Sequence, residues 1–321
     1  MSEQVLLIEH RPPVRILTLN RPEARNALNS QLIQELERAV DEVRFSEDLR
    51  VLIITGAGDR AFCAGADLKE RLNMSDGEVR LFLSVIRRLF TKIEELPLPV
   101  LAAINGVALG GGTELALACD LRVAAAHATM GLTETRLAII PGAGGTQRLP
   151  RLVGIALAKE LIYTGRQLTA QEALTKGLVN RLAENDKLMD VCLELSGEIS
   201  KAGPIALAQA KFAINRGKDA ELHTGLAIEA SAYEACIPTE DRREGELLRH
   251  ALCDPKSRST DQVQRTTWIW PKITALRKKR TKTIGSKKKS IWRSVSSRPS
   301  IQEVSRPMPA WPNRVKDQSE N

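Results

Sequence analysis

Histidine is scarce in this chain, with four residues in 321. The five cysteines (Cys63, Cys119, Cys192, Cys236, Cys253) are odd in number and far apart, so they do not read as a disulfide framework. No Cys-x-x-Cys or His-x-x-x-His spacing occurs, which removes the usual ligand patterns, and no metal is expected. Free, mostly buried thiols in a reducing compartment fit this usage. No apolar run reaches the length of a membrane span, so no membrane partner is expected. Glu3 and Glu9 stand where a secretory leader needs a basic and then an apolar run, and they equally oppose an intact mitochondrial presequence. A cytoplasmic protein is expected, with the mitochondrial matrix as the alternative should a presequence precede this chain.

Tryptophan is missing from the first 267 residues, and all four (Trp268, Trp270, Trp292, Trp311) fall near the end. Charge divides at the same place. Of 47 Lys and Arg, 18 lie from Arg249 onward, against 5 of the 39 Asp and Glu. The tail therefore carries +13 and residues 1–248 carry −5, so the net +8 describes neither part. The body is an ordinary acidic globular chain with 43% hydrophobic residues, long enough to bury a large core. From residue 254 to 321, serine, proline, Arg277-Lys-Lys-Arg280 and Lys287-Lys-Lys289 dominate, a composition of disorder.

Within the body, Val14 to Leu19 reads as the first strand and Val51 to Thr55 as a fully buried one. Between them Leu32, Ile33, Leu36, Val40 and Val43 recur at helical spacing. A second helix is predicted from Ser75, with Glu78 in the capping-box position, and ends before Pro97 and Pro99. Val100 to Ile104 and Leu121 to Ala124 read as further strands. After Pro204 the pattern is helical only, over Ile205 to Asn215 and Glu221 to Cys236. The expected class is α/β with a helical C-terminal extension. The expected organisation is a catalytic core over 1–195, a helical segment over 196–253 and the basic tail over 254–321.

Two glutamates sit in glycine-rich frames twenty residues apart. Glu114 lies in Ala103-Ile-Asn-Gly-Val-Ala-Leu-Gly-Gly-Gly-Thr-Glu-Leu-Ala-Leu-Ala-Cys-Asp120. Glu134 lies in Met130-Gly-Leu-Thr-Glu-Thr-Arg-Leu-Ala-Ile-Ile-Pro-Gly-Ala-Gly-Gly-Thr-Gln-Arg148. Glycines let backbone N–H groups approach a ligand, and a helix starting at Gly110-Gly111-Gly112 aims its positive end at developing negative charge. A carboxyl pair beside such an anion site can move protons around a carbonyl compound. Taken singly, either glutamate is better explained as a partner of a helix dipole; the pairing in these frames is what points to catalysis.

Together with Phe62-Cys-Ala-Gly-Ala-Asp-Leu-Lys69, these blocks resemble the enoyl-CoA hydratase/isomerase (crotonase) superfamily, and within it the hydratases with two glutamates. The likeness extends from about Val5 to Gly245. It implies a spiral of ββα turns, a C-terminal helical segment that builds homotrimers or homohexamers, and an acyl-CoA substrate. No cofactor is implied, because the coenzyme A belongs to the substrate. The resemblance assigns the oxyanion donors to the N–H groups of Ala66 and Gly111. It makes Glu134 the general acid that protonates the α-carbon and Glu114 the group that orients and deprotonates water. CoA and acyl contacts fall to Ala24, Arg25, Ala64, Gly65, Ala66, Asp67, Leu68, Gly110, Gly111, Pro141 and Gly142. Asp67 is expected to brace its turn, and Arg25 reads equally well as a solvated surface residue. Thr133-Glu134-Thr135 and Ala138 to Pro141 resemble the subgroup acting on short or branched acyl chains, including 3-methylglutaconyl-CoA. The chain leaves the family's closing pattern after Gly245.

Other readings are weaker. Pro141 to Arg148 lacks the Lys-Ser/Thr ending of a phosphate loop. Gly56-Ala-Gly-Asp-Arg-Ala61 fits a loose dinucleotide fingerprint, but Phe62-Cys-Ala-Gly follows where a helix should run. Cys63 has no histidine tied to it and reads as a packed residue. A double-bond isomerase of the same superfamily is the enzymatic rival. Nucleic-acid binding by the tail, with basic runs and interleaved tryptophans, is the rival from another class. A disordered extension without that role is favoured over it.

Overall fold

Val51-Leu-Ile-Ile-Thr55 and Val100-Leu-Ala-Ala-Ile104 are apolar on every residue but one, as strands covered on both faces must be. The computed structural model, which describes residues 4–253, places them side by side at the centre of a six-stranded sheet. That sheet runs β1 (Leu6–Arg11), β2 (Val14–Leu19), β3 (Val51–Gly56), β5 (Val100–Ile104), β7 (Leu121–Ala125) and β10 (Arg181–Ala183). All neighbours are parallel except β1 and β2. A smaller sheet follows the order β4 (Ala61–Cys63), β6 (Val107–Leu109), β8 (Thr129–Gly131) and β9 (Leu168–Thr169).

The chain repeats one step three times: a strand in the large sheet, a short strand in the small sheet, then helix. This is the ββα spiral that the resemblance implied. The helices are α1 (Ser30–Arg44), α2 (Leu68–Arg71), α3 (Asp76–Glu94), α4 (Gly111–Ala118), α5 (Gly145–Val153), α6 (Ile155–Thr164), α7 (Ala170–Thr175), α8 (Leu188–Ile199), α9 (Pro204–Gly217), α10 (Leu222–Glu234) and α11 (Glu240–Cys253). Strand β3 enters β4 and then α2–α3, β5 enters β6 and then α4, and β7 enters β8 and then a 3₁₀ turn at Glu134–Leu137.

Local signals explain most of these elements. Helix α3 carries the full capping box, with the Ser75 hydroxyl accepting from the Glu78 N–H and the Glu78 carboxylate from the Ser75 N–H. Its Phe82, Ile86, Leu89, Phe90 and Ile93 are buried. Helix α1 buries Leu32, Ile33, Leu36, Val40 and Val43, the predicted stripe. One strand escaped the sequence reading: Leu6–Arg11 precedes the strand taken as first. It shares the apolar run Val5-Leu6-Leu7-Ile8, but five of its six residues are exposed at the sheet edge, so no alternation marks it. After Gly56 no helix follows; the chain enters β4, which disposes of the dinucleotide reading.

Most described residues belong to one compact unit, Met1–His250. Helices α9 and α10 match the two predicted C-terminal helices, and α9 is tied to the core through Lys211. Its Nζ donates to Asp120 Oδ2 at 2.7 Å and to the Leu98 carbonyl at 3.0 Å. Yet α9 buries no residue and α10 only Ala232. The disordered tail expected over 254–321 lies outside the described residues. No helix among those described is long and apolar enough to cross a membrane.

Candidate active site

The three sequence frames converge because β4, β6 and β8 are adjacent in the small sheet, and each frame runs through the end of one of these strands. The cleft they face holds about 1180 Å³. Ala64, Gly65, Ala66, Leu68, Gly110, Gly111, Glu114, Glu134, Pro141 and Gly142 all line it. Ala24, Arg25 and Asp67 do not.

Ala66 and Gly111 lie backbone to backbone. A β-carbon on Gly65, which has φ +97°, would stand 3.3 Å from the Gly111 nitrogen. One on Gly111 would stand 3.6 Å from the Ala66 nitrogen. No acceptor is found for the N–H of either residue among those described. Gly111 is the first residue of α4, where an N–H has no partner within the helix. Gly112 is required for this fit, because its β-carbon would fall 2.0 Å from the Cys63 carbonyl oxygen. Two unused donors side by side, one of them at the start of α4, are an arrangement able to receive negative charge on an oxygen.

Glu114 lies in the first turn of α4 and is 3% exposed. Its Oε1 accepts from the Ala143 N–H at 2.7 Å and the Gly145 N–H at 2.8 Å, the start of α5. Burial raises its pKa, while those two amides and the Arg148 and Arg87 cations hold the rise back. Glu134 opens the 3₁₀ turn, and its Oε2 is buried with no hydrogen-bond partner. Burial pushes Glu134 up to about 7, opposed by its own backbone hydrogen bond and reinforced by the Glu114 charge. One carboxyl is thus furnished with donors that favour its ionised form, and the other is left to favour its proton. Two carboxyls in such unequal surroundings are suited to different protonation states.

Other expectations resolve as follows. Asp67 caps α2 through the Lys69 and Glu70 N–H groups and pairs with Arg21 at 2.9 Å. Burial opposes its ionisation, but Arg21 and the cap N–H groups outweigh this and lower its pKa. It braces its turn and faces away from the cleft. Arg25 and Ala24 sit in the neighbouring loop, where Arg25 is exposed beside a smaller depression of about 230 Å³. Cys63 is fully buried, and burial pushes its thiol up to about 12, so it is packed rather than nucleophilic.

Sequence reasoning missed the Ala143 and Gly145 amides that hold Glu114, and the side chains of Arg87 and Arg148 behind them. The usable signal was the small-residue run Gly142–Gly145 ahead of a helix start, which makes an anion cradle. Helix α3 adds an apolar wall of Val79, Leu83 and Ile86.

A cleft with two free amide donors and two buried carboxyls, both raised by burial but unequally held, has the equipment of acid–base chemistry on a substrate that develops oxyanion charge. The sequence profile of the enoyl-CoA hydratase/isomerase family matches residues 9–249. The chain is 54% identical over 245 residues to YngF of Bacillus subtilis, covering 76% of this chain and 94% of that one. It is 49% identical over 245 residues to the human mitochondrial methylglutaconyl-CoA hydratase, covering 75% and 72%. A crystal structure of an enoyl-CoA hydratase from Bacillus anthracis superposes with a TM-score of 0.75 at 51% identity, over 76% of this chain and 95% of that chain. The chain belongs to the enoyl-CoA hydratase/isomerase family. It has the crotonase fold and is an enzyme of the hydratase type.

Proposed function

We propose that the protein adds water across the 2,3 double bond of a short or branched 2-enoyl-CoA, 3-methylglutaconyl-CoA among them, to give the 3-hydroxyacyl-CoA. The observation that carries this reading is the unequal pair: Glu114 held by two amides, Glu134 Oε2 buried without a partner. In this mechanism the N–H groups of Ala66 and Gly111 take the thioester oxygen as charge builds there. Each such donor is worth roughly 3–4 kcal/mol in the transition state. Glu114 accepts a proton from water as the oxygen bonds to C3, and Glu134 gives its proton to C2. An isomerase needs one acid/base and no activated water, so the second carboxyl favours hydration. No cofactor enters this chemistry.

Several features support the substrate class. Val79, Leu83, Leu137 and Ile139 make the cleft wall apolar, while Arg71 and Arg87 line it with no ion-pair partner among the described residues. Apolar walls with unpaired cations suit a short chain ending in a carboxylate. Ala64, Gly65 and Leu68 are assigned to the CoA portion, with Ala24 and Arg25 reaching it from the rim. The test is the loss of enoyl-thioester absorbance across a panel of straight, branched and carboxylated 2-enoyl-CoAs. Carboxylated or branched substrates should have the highest kcat/KM; a steady rise with straight-chain length would contradict the assignment.

The pH profile follows from the same pair. Glu134 must carry its proton, so kcat/KM should fall as pH rises through about 7. Glu114 must be ionised, so an acid limb should appear at lower pH. A rate that keeps climbing well above neutrality would contradict the assignment of Glu134 as acid.

A homotrimer or homohexamer is part of the proposal. Ile214, Leu222, Leu226 and Tyr233 on α9 and α10 are each more than half exposed, apolar surface that a neighbouring subunit would cover. Sedimentation velocity should find trimers or hexamers, and monomer alone would contradict this. A cytoplasmic setting is proposed from the likeness to the bacterial YngF, with the matrix as alternative from the mitochondrial relatives.

A further inference from the structure

Arg148 takes no part in the chemistry above, yet it is among the most fully engaged side chains in the cleft wall. Its Nε and one terminal nitrogen both donate to Glu94 Oε2, at 3.0 and 2.7 Å, and its side chain is only 14% exposed. The other terminal nitrogen donates to the Ala143 carbonyl at 3.0 Å. Glu94 is held in turn by Lys218 at 3.0 Å. Arg87, from the same helix as Glu94, donates through Nε to the Gly142 carbonyl at 2.5 Å.

These bonds fall on successive peptide units. The peptide joining Gly142 to Ala143 gives its carbonyl to Arg87 and its N–H to Glu114. The next carbonyl goes to Arg148, and the following N–H, from Gly145, returns to Glu114. The loop is therefore gripped by guanidinium groups on its outer side and by the carboxylate on its inner side. A donor on the carbonyl of a peptide polarises its N–H, so Arg87 on Gly142 strengthens the Ala143 bond to Glu114, whereas Arg148 acts on the peptide between the two bonded amides and fixes its orientation. Gly144 makes this grip sterically possible. It has φ +112°, and a β-carbon there would lie 2.1 Å from an Arg148 terminal nitrogen.

We propose that Arg148, assisted by Arg87, is a positioning residue: it fixes the Gly142–Gly145 loop so that two amides converge on Glu114 and aim that carboxylate at the reacting water. The proposal rests on the reading of Glu114 as the water-activating base. The charged groups that bear on Glu114 are Arg148 from α5, Arg87 from α3 and Glu134 from the 3₁₀ turn. A purely structural staple between α3 and α5 would need the Arg148–Glu94 pair but not the bond to Ala143.

Arg148→Met and Glu94→Gln separate these roles, since the second keeps a cation beside the Ala143 carbonyl. Arg148→Met should lower kcat about 10²-fold, the scale of a misplaced catalytic group, with KM little changed. It should also move the acid limb of the pH profile upward, because Glu114 loses a cation and well-aligned donors. Glu94→Gln should keep the limb in place even where its Tm falls, and Arg148→Lys should recover part of kcat. Carbon-13 NMR titration of the Glu114 carboxyl, assigned with Glu114→Gln, reads the same shift without any turnover. It therefore tests positioning even if no enoyl-CoA is hydrated. Should Arg148→Met fail to fold, Gly144→Ala, which displaces the guanidinium, takes its place in the titration. An unchanged Glu114 titration in a folded variant would overturn the proposal.

Discussion

Glu134→Gln is expected to slow hydration about 10²–10⁴-fold, the usual range for removal of a general acid. The substitution keeps the size and shape of the side chain but leaves no proton to give to C2. It should leave folding intact, because the carboxyl bonds only its own backbone and its Oε2 has no partner to lose. Nor does it touch the amides of Ala66 and Gly111, so binding of a saturated acyl-CoA measured by calorimetry should persist. The alkaline limb of the pH profile should go with the carboxyl, since that limb reports loss of the Glu134 proton near 7. A variant that hydrates at the parent rate would remove Glu134 from the mechanism.

Gly111→Ala should cost about 10²–10³-fold in kcat, the effect of removing one oxyanion donor. The added carbon would lie 3.6 Å from the Ala66 nitrogen and 3.6 Å from Leu28 Cδ1, ordinary contacts that the protein tolerates. It would crowd the space in front of the Ala66 N–H, where the thioester oxygen must come. Gly112→Ala is the contrasting control. Its carbon would meet the Cys63 carbonyl at 2.0 Å, a collision with backbone, so the damage there appears as lost stability. Paired measurements of kcat and Tm distinguish the two. A Gly111→Ala protein with full activity would contradict the oxyanion assignment.

What was legible in the sequence is what is written locally. The capping box at Ser75, the stripe on α1 and the apolar runs of β3 and β5 are properties of short windows, and the structure reproduces them. The glycine frames around Glu114 and Glu134 are legible as runs, and the structure brings both glutamates into one cleft. What stayed hidden depends on partners distant in the chain. Glu114 meets Ala143 across 29 residues, and Arg148 meets Glu94 across 54. No periodicity reports such pairs. The edge strand Leu6–Arg11 was missed although it shares the short apolar run Val5 to Ile8, which periodicity alone does not assign to a strand. Asp67, grouped with the ligand contacts by resemblance, turns instead to Arg21, an ion pair spanning 46 residues.

The central claim is that water is added, and isotope labelling tests it most directly. The enzyme would be incubated with a 2-enoyl-CoA in ¹⁸O-water, and the product weighed and fragmented by mass spectrometry. The expected product is heavier by one labelled water, with the heavy oxygen on C3. A product of unchanged mass with its double bond moved would contradict hydration and make the protein an isomerase.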